Sequence, residues 1–339
     1  MDLDLNLNGP RWRRTATPGE TVDRLLYASE CRVQGSVFDE MHRIRDDALL
    51  RNIIDDVYVA LLYQAGWFVE WLEGPAAGVD AVLRRTAKDR RHGDLRVVHR
   101  SRGPRRLTEP WSMAFRQDQE QPAEFERRLK SLMSLSGRHA LDPASVWRRL
   151  SMPLADAAAA GRADNDLYQR VMVCAARGTQ SFELVRWLGL AYGSKVTSQR
   201  LAGAQATSRD VANDYVDLDG GRDGMVRRVV AMARNGLQIG LLQAFLPDYS
   251  HIVLLLCGDS KHDEDLVHIL VAACARLSHR PVLLGLGGAG CDHAALREVA
   301  RAGGLVYLDC DIDGGANAKA LWAAAEPALD LSRMTNSQW

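Results

Sequence analysis

Glu70 is a carboxylate set where apolar side chains belong. It stands in the run Phe68-Val69-Glu70-Trp71-Leu72-Glu73-Gly74. Before it, Val57, Val59, Leu61 and Tyr63 alternate as strand residues do, and Gln64-Ala65-Gly66 supplies a tight turn, so 57–73 reads as a β-hairpin. Side chains repeat every second residue along a strand, so Phe68, Glu70 and Leu72 share one face. Phe68 and Leu72 make that face core-directed. A carboxylate there is costly unless it is bonded or protonated. Ionised, it only accepts hydrogen bonds; neutral, it donates one and still accepts. The structural alternative is an edge strand from which Glu70 escapes to solvent.

A second grouping is Cys174-Ala175-Ala176-Arg177-Gly178-Thr179-Gln180-Ser181, between an apolar strand and a helix. The position suits a phosphate loop of the form G-x-x-x-x-G-K-[ST]. The residue types do not. Cys174 and Thr179 replace the two glycines, Gln180 stands where the phosphate-binding lysine should be, and only Ser181 fits. The expectation is a degenerate, pseudo-GTPase-like loop without nucleotide hydrolysis, and a protein that is not an enzyme. Gly285 to Gly290 reads as a tight strand-to-helix turn. Asp309, Asp311 and Asp313 are spaced like metal ligands, but Gly314-Gly315 and the lack of a bidentate glutamate mark a loop, and no metal is expected.

The elements that must position these residues fall into two units. Residues 1–22 read as a flexible leader. Across 23–115 come a strand Asp23–Ser29, a helix Ser36–Arg51 and the hairpin. The helix is capped by Ser36 and striped by Val37, Met41, Ile44, Ala48 and Leu49. A helix Ala77–Lys88 and strands Leu95–His99 and Arg106–Phe115 follow. The order β-α-β-β-α-β-β implies the ferredoxin-like α+β plan, with both helices on one face. Residues 116–165 read as linker or capping helices, with Phe125, Leu129, Leu132 and Leu135 at helical spacing and Asp142-Pro143 as a helix start. Residues 166–330 alternate strands (170–175, 195–201, 214–218, 251–257, 281–286, 305–309) with helices (182–192, 225–242, 263–277, 292–302, 318–325). That pattern implies a doubly wound parallel α/β domain. Residues 331–339 are a tail.

Around the hairpin stand Tyr27 on the first strand, Arg51-Asn52 at the end of the first helix, Asp89-Arg90-Arg91-His92 after the second, and Trp111-Ser112-Met113 on the last strand. With Phe68 and Leu72-Glu73-Gly74, this ordered set resembles the BLUF family of flavin-binding blue-light receptors over residues 23–115. The resemblance implies FAD as cofactor, lying between the two helices with its ring toward the sheet. It implies Tyr27 as electron donor to the excited flavin, Asn52 as partner of the ring's polar edge, and Arg51, Arg91 and His92 as further cofactor contacts. It implies Tyr27, Glu70, Trp111 and Met113 as the photoactive and switching set. The sequence departs from the family at Glu70, where the family has the glutamine that bridges Tyr and flavin. It departs again at Asp55 to Ala60, which replaces a glycine-rich stretch. The expectation is a weakened or redirected light response, relayed to the C-terminal unit. Three classes are open: a sensor; an interaction or scaffold module that keeps the fold without photoswitching; and, less favoured, a nucleotide hydrolase. The C-terminal unit resembles small-GTPase-like, flavodoxin-like or cobalamin-binding domains only loosely.

Composition sets the remaining bounds. The 339 residues suffice for two domains, and Lys+Arg balance Asp+Glu at 43 each, so no nucleic-acid or membrane partner is signalled. No apolar run reaches membrane-spanning length and the N-terminus lacks an apolar signal core, so a cytoplasmic protein is expected. A protein partner through the C-terminal unit is expected, and homo-oligomerisation stays open. The six cysteines include no C-x-x-C pair, and Cys174 and Cys257 are expected as buried free thiols.

Overall fold

The computed structural model describes residues 20–116, 120–135, 142–152, 168–204, 210–219, 226–275, 277, 279–312 and 315–336. The expected leader up to residue 19 and much of the 116–165 connection lie outside the described residues. The first unit runs β1 (Thr21–Cys31), α1 (Val37–Ile54), β2 (Tyr58–Gln64), β3 (Trp67–Gly74), α2 (Ala76–Thr86), β4 (His92–Pro104) and β5 (Trp111–Arg116). Two helices follow, α3 (Pro122–Leu135) and α4 (Pro143–Ser151). Ser36 caps α1 by accepting from the Asp39 N–H, and Asp142 caps α4 ahead of Pro143.

The second unit comprises β6 (Tyr168–Ala175), α5 (Gln180–Tyr192), β7 (Thr197–Gly203), β8 (Val211–Asp219) and β9 (Val226–Met232). A 3-10 turn (Arg234–Gln238) leads into the short α6 (Gly240–Phe245). Then come β10 (His251–Leu255), α7 (Ser260–Cys274), β11 (Val282–Gly287), α8 (His293–Ala302), β12 (Tyr307–Asp311) and α9 (Ala318–Asn336). The helix expected over 225–242 is therefore a strand, a turn and a short helix. Val226, Val229 and Val230 carry helical spacing, but they are β-branched and buried, and β9 is hydrogen-bonded on both sides. The expected tail at 331–339 begins as the last turns of α9.

The twelve strands of the described residues join one sheet in the order β12-β11-β10-β6-β9-β8-β7-β5-β2-β3-β1-β4. In the first unit β1 lies antiparallel between β3 and β4, β2 is antiparallel to β3, and β5 is parallel to β2. In the second, β9, β6, β10, β11 and β12 are parallel neighbours, while β7 and β8 run antiparallel. The two units meet where β5 pairs antiparallel with β7, from Ser112↔Gly203 to Arg116↔Gln199.

Burial follows the two faces of this sheet. On one face of the first unit, Met41 and Ile44 of α1 and Val79 and Val82 of α2 cover Leu25, Tyr27, Leu61, Phe68, Leu72 and Met113. The opposite face carries a core that runs across both units. It joins Leu26, Trp71 and Ala114 to Leu129 and Trp147 of α3 and α4, and on to Met172, Met232, Leu241, Leu254 and Leu266. On the far side of the second unit, α5 and α9 form a third cluster around Val173, Leu188 and Trp322.

The expected strand 106–115 begins only at Trp111. The Glu73 carboxylate accepts from the Arg106 and Leu107 N–H groups at 2.6 and 2.8 Å, so a side chain takes the amides a ladder would have used. Cys174 is buried as expected, whereas Cys257 is exposed because β10 ends two residues before it.

Candidate functional site

The sheet, α1 and α2 enclose a cavity of about 380 Å³, and it lies against the residues singled out above. Arg51 and Asn52 reach it from the last turn of α1, Glu70 from β3, Arg91 and His92 from the loop that opens β4, and Trp111 from the start of β5. Arg85, Thr86 and Lys88 line it from the end of α2, and Asp47 from α1; sequence reasoning assigned these four no role at the site. Tyr27 and Met113 are not among the lining residues. Both are fully buried in the core behind that wall.

Glu70 and Tyr27 are direct partners across the β1–β3 ladder, which places both side chains on the cavity face. Burial pushes the Glu70 carboxyl up to about 7; the Tyr27 hydroxyl draws it back down, Asp89 adds to the rise, and Arg91 opposes it. Tyr27 is raised well above its ordinary value, first by burial and then by the neighbouring Glu70. The Tyr27 hydroxyl lies 3.0 Å from Thr86 Oγ1, and Thr86 Oγ1 lies 3.3 Å from the Val82 carbonyl. A carbonyl only accepts, so Thr86 donates there and Tyr27 donates to Thr86.

His92 closes the other side. Burial pushes its imidazole down to about 4, so it is neutral near pH 7. Its Nδ1 is 2.8 Å from the buried Ser29 hydroxyl, and its Nε2 is 4.0 Å from Glu70 Oε1. With a neutral ring, that approach is a polar contact and not an ion pair. Arg91 is held by Asp89 through Nε at 3.0 Å and Nη2 at 2.6 Å, and by Glu40 at 3.0 Å. Although burial works against it, Arg91 keeps the Asp89 carboxyl below the usual range. Asn52 is buried, and its Oδ1 accepts from Arg85 Nη2 at 3.4 Å.

The volume lies within the roughly 300–1,000 Å³ of small-molecule sites. Arg51, Arg85, Lys88 and Arg91 outnumber Asp47, Glu70 and Asp89 on its walls, which suits a ligand carrying negative charge. Trp111 has a buried indole N–H without a partner among the described residues, an orphan donor beside the cavity. A flat, polar-edged ring with phosphates attached fits this donor set.

The second grouping lies in the other unit. Cys174 is buried on β6, and Thr179 precedes α5 and bonds Glu183 at 2.9 Å. Gln180 is exposed, whereas the Ser181 side chain is buried at 1% exposure. Asp309 pairs with Arg297, and Asp313 lies outside the described residues. No group of three metal-ligating side chains is found among the described residues.

Residues 22–114 match the model of the BLUF family, sensors of blue-light using FAD. The N-terminal unit is a BLUF domain, and BLUF domains bind FAD. Among solved structures, the photo-activated state of BlsA is similar at 18% identity, over 40% of this chain and 96% of that one, with TM-score 0.29. The BLUF protein BlrB in its dark state shares 23% identity over 41% and 100%, with TM-score 0.28. A bacterial light-regulated adenylyl cyclase shares 14% over 68% and 84%, with TM-score 0.27. No curated protein matches the chain. No helix among the described residues is long and apolar enough to cross a membrane.

Proposed function

We propose that this protein is a blue-light sensor in which a neutral Glu70 occupies the switching position and the C-terminal α/β unit is the output. The carrying observation is the placement of Glu70, buried, opposite Tyr27 and on the wall of the cavity. FAD, when bound, supplies the blue-light absorption. Asn52 and Trp111 are placed to bond its ring, and Arg51, Arg85, Lys88 and Arg91 to balance its phosphates.

What this chain contributes is the handling of one proton. The Thr86 proton is used on Val82, and the Tyr27 proton on Thr86. A neutral Glu70 has one O–H, which it can give to the Tyr27 oxygen or turn into the cavity, while its other oxygen accepts. An amide keeps nitrogen and oxygen distinct, so its orientation is remembered. A carboxylic acid can undo a rotation by moving its proton to the other oxygen. The light-induced state is therefore weaker or shorter-lived than with glutamine. The glutamate itself favours a second reading, an interaction module that binds flavin without switching.

The first unit has the ferredoxin-like plan and the second a doubly wound one, and the protein is cytoplasmic. The second unit binds a protein partner and hydrolyses no nucleotide. The test is the purified chain. It is expected to be yellow, or to take up added FAD one-to-one with non-covalent, denaturation-releasable flavin. A colourless preparation that fails to bind FAD would overturn the reading.

A further inference from the structure

Trp111 and Ser112 are neighbours on β5, so they point to opposite faces of the sheet. Trp111 lines the cavity. Ser112 faces the other side, where its Oγ donates to Glu109 Oε1 at 2.9 Å and accepts from the Leu241 N–H at 3.1 Å. Glu109 is buried, and its carboxylate also accepts from the Gly240 N–H at 2.6 Å and the Ala204 N–H at 3.1 Å. Gly240 and Leu241 open α6, and Ala204 follows β7; all three belong to the second unit.

The approach is close enough to require glycine. A Cβ on Gly240 would stand 2.5 Å from Glu109 Cγ and 2.8 Å from the Glu109 nitrogen. The far end of α6 also returns to the first unit. Phe245 packs against Trp71 with ring centroids 6.1 Å apart, and Trp71 is the residue after Glu70 on β3. Thus α6 touches the two strands that carry Trp111 and Glu70 into the cavity, from the face opposite the cavity. Burial pushes the Glu109 carboxyl up to about 7, against the three hydrogen bonds it receives.

We infer that Glu109 and Ser112 are positioning residues that clamp α6 to β5, so that a change at the cavity wall moves the 3-10 turn and α6 of the second unit. Nothing in this inference requires a particular output chemistry. Its light arm rests on the sensor reading above, and its FAD arm does not. The experiment is hydrogen exchange of the full chain, comparing dark with illuminated and FAD-loaded with FAD-free protein. Exchange is followed at residues 111–116 and 237–246. The variants are Glu109→Gln, which keeps shape but leaves only one accepting oxygen, and Ser112→Ala, which tests the clamp if the first variant misfolds. In the unmutated chain, exchange at 237–246 is expected to change roughly threefold or more with light or FAD, together with 111–116. The variants keep the flavin spectrum but lose the response at 237–246. A 237–246 segment that follows neither light nor FAD, or that responds equally in both variants, overturns the clamp. An unmoved flavin spectrum under light, with a preserved FAD response at 237–246, overturns only the sensor reading.

Discussion

Tyr27 and Glu70 face each other across the β1–β3 ladder, and the Tyr27 hydroxyl also lies 3.0 Å from Thr86 Oγ1. The carboxyl meets a phenol on that side, and a neutral imidazole, His92, on another. Burial raises the carboxyl and the Tyr27 hydroxyl draws it back, and burial is the larger effect.

The titration of Glu70 follows. Its carboxyl sits at about 7 against an ordinary 4.5, so the folded state favours the neutral form. Stability from this group is complete below about 4.5 and is lost as pH rises through about 7; the loss is on the order of 3 kcal/mol. The flavin absorption of the FAD-loaded chain is expected to shift with a midpoint near 7. The melting temperature of wild type falls over the same window relative to Glu70→Gln. Thr86→Val leaves the Tyr27 hydroxyl only Glu70 to donate to and lowers the midpoint by about one unit. A flavin spectrum flat from pH 5 to 9 in wild type would contradict this.

Stability at the mouth of the hairpin depends on glycine. A Cβ on Gly74 would stand 2.7 Å from the Asp56 carbonyl oxygen and 3.0 Å from Val57 Cγ2. Gly74→Ala is expected to cost about 1–3 kcal/mol in urea denaturation, because backbone blocks the added methyl. An unchanged midpoint would show that the 55–57 loop yields freely.

The degenerate phosphate loop gives a negative expectation. Neither ATP nor GTP is turned over above background, since Thr179 and Gln180 remove the cradle and the charge that phosphates need. Phosphate release measures it. Steady turnover abolished by Ser181→Ala would contradict the expectation.

Much of the site was legible because its residues come as an ordered set on elements with clear periods. Asn52 at a helix end, Glu70 at strand spacing from Phe68 and Leu72, and Arg91-His92 between helix and strand all reach one cavity. Arg85, Thr86 and Lys88 were not legible, because their direction depends on how α2 is rotated on the sheet. The strand β9 was hidden by Val226, Val229 and Val230, whose spacing is that of a helix face although their branching favours a strand. The pairing of β5 with β7, and the clamp of Glu109 on Gly240, join residues far apart in the chain, and no local pattern encodes such a contact.

The central claim is that Glu70 sets the character of the light response. It is tested most directly by light-minus-dark absorption spectra of the FAD-loaded chain and of its Glu70→Gln variant, with Tyr27→Phe as control. Glutamine is nearly isosteric, so the packing of Phe68 and Leu72 is expected to survive. The account predicts a small or short-lived shift in the unmutated chain, a larger and longer-lived red shift in Glu70→Gln, and none in Tyr27→Phe. A full, reversible red shift in the unmutated chain that Glu70→Gln does not increase would contradict it.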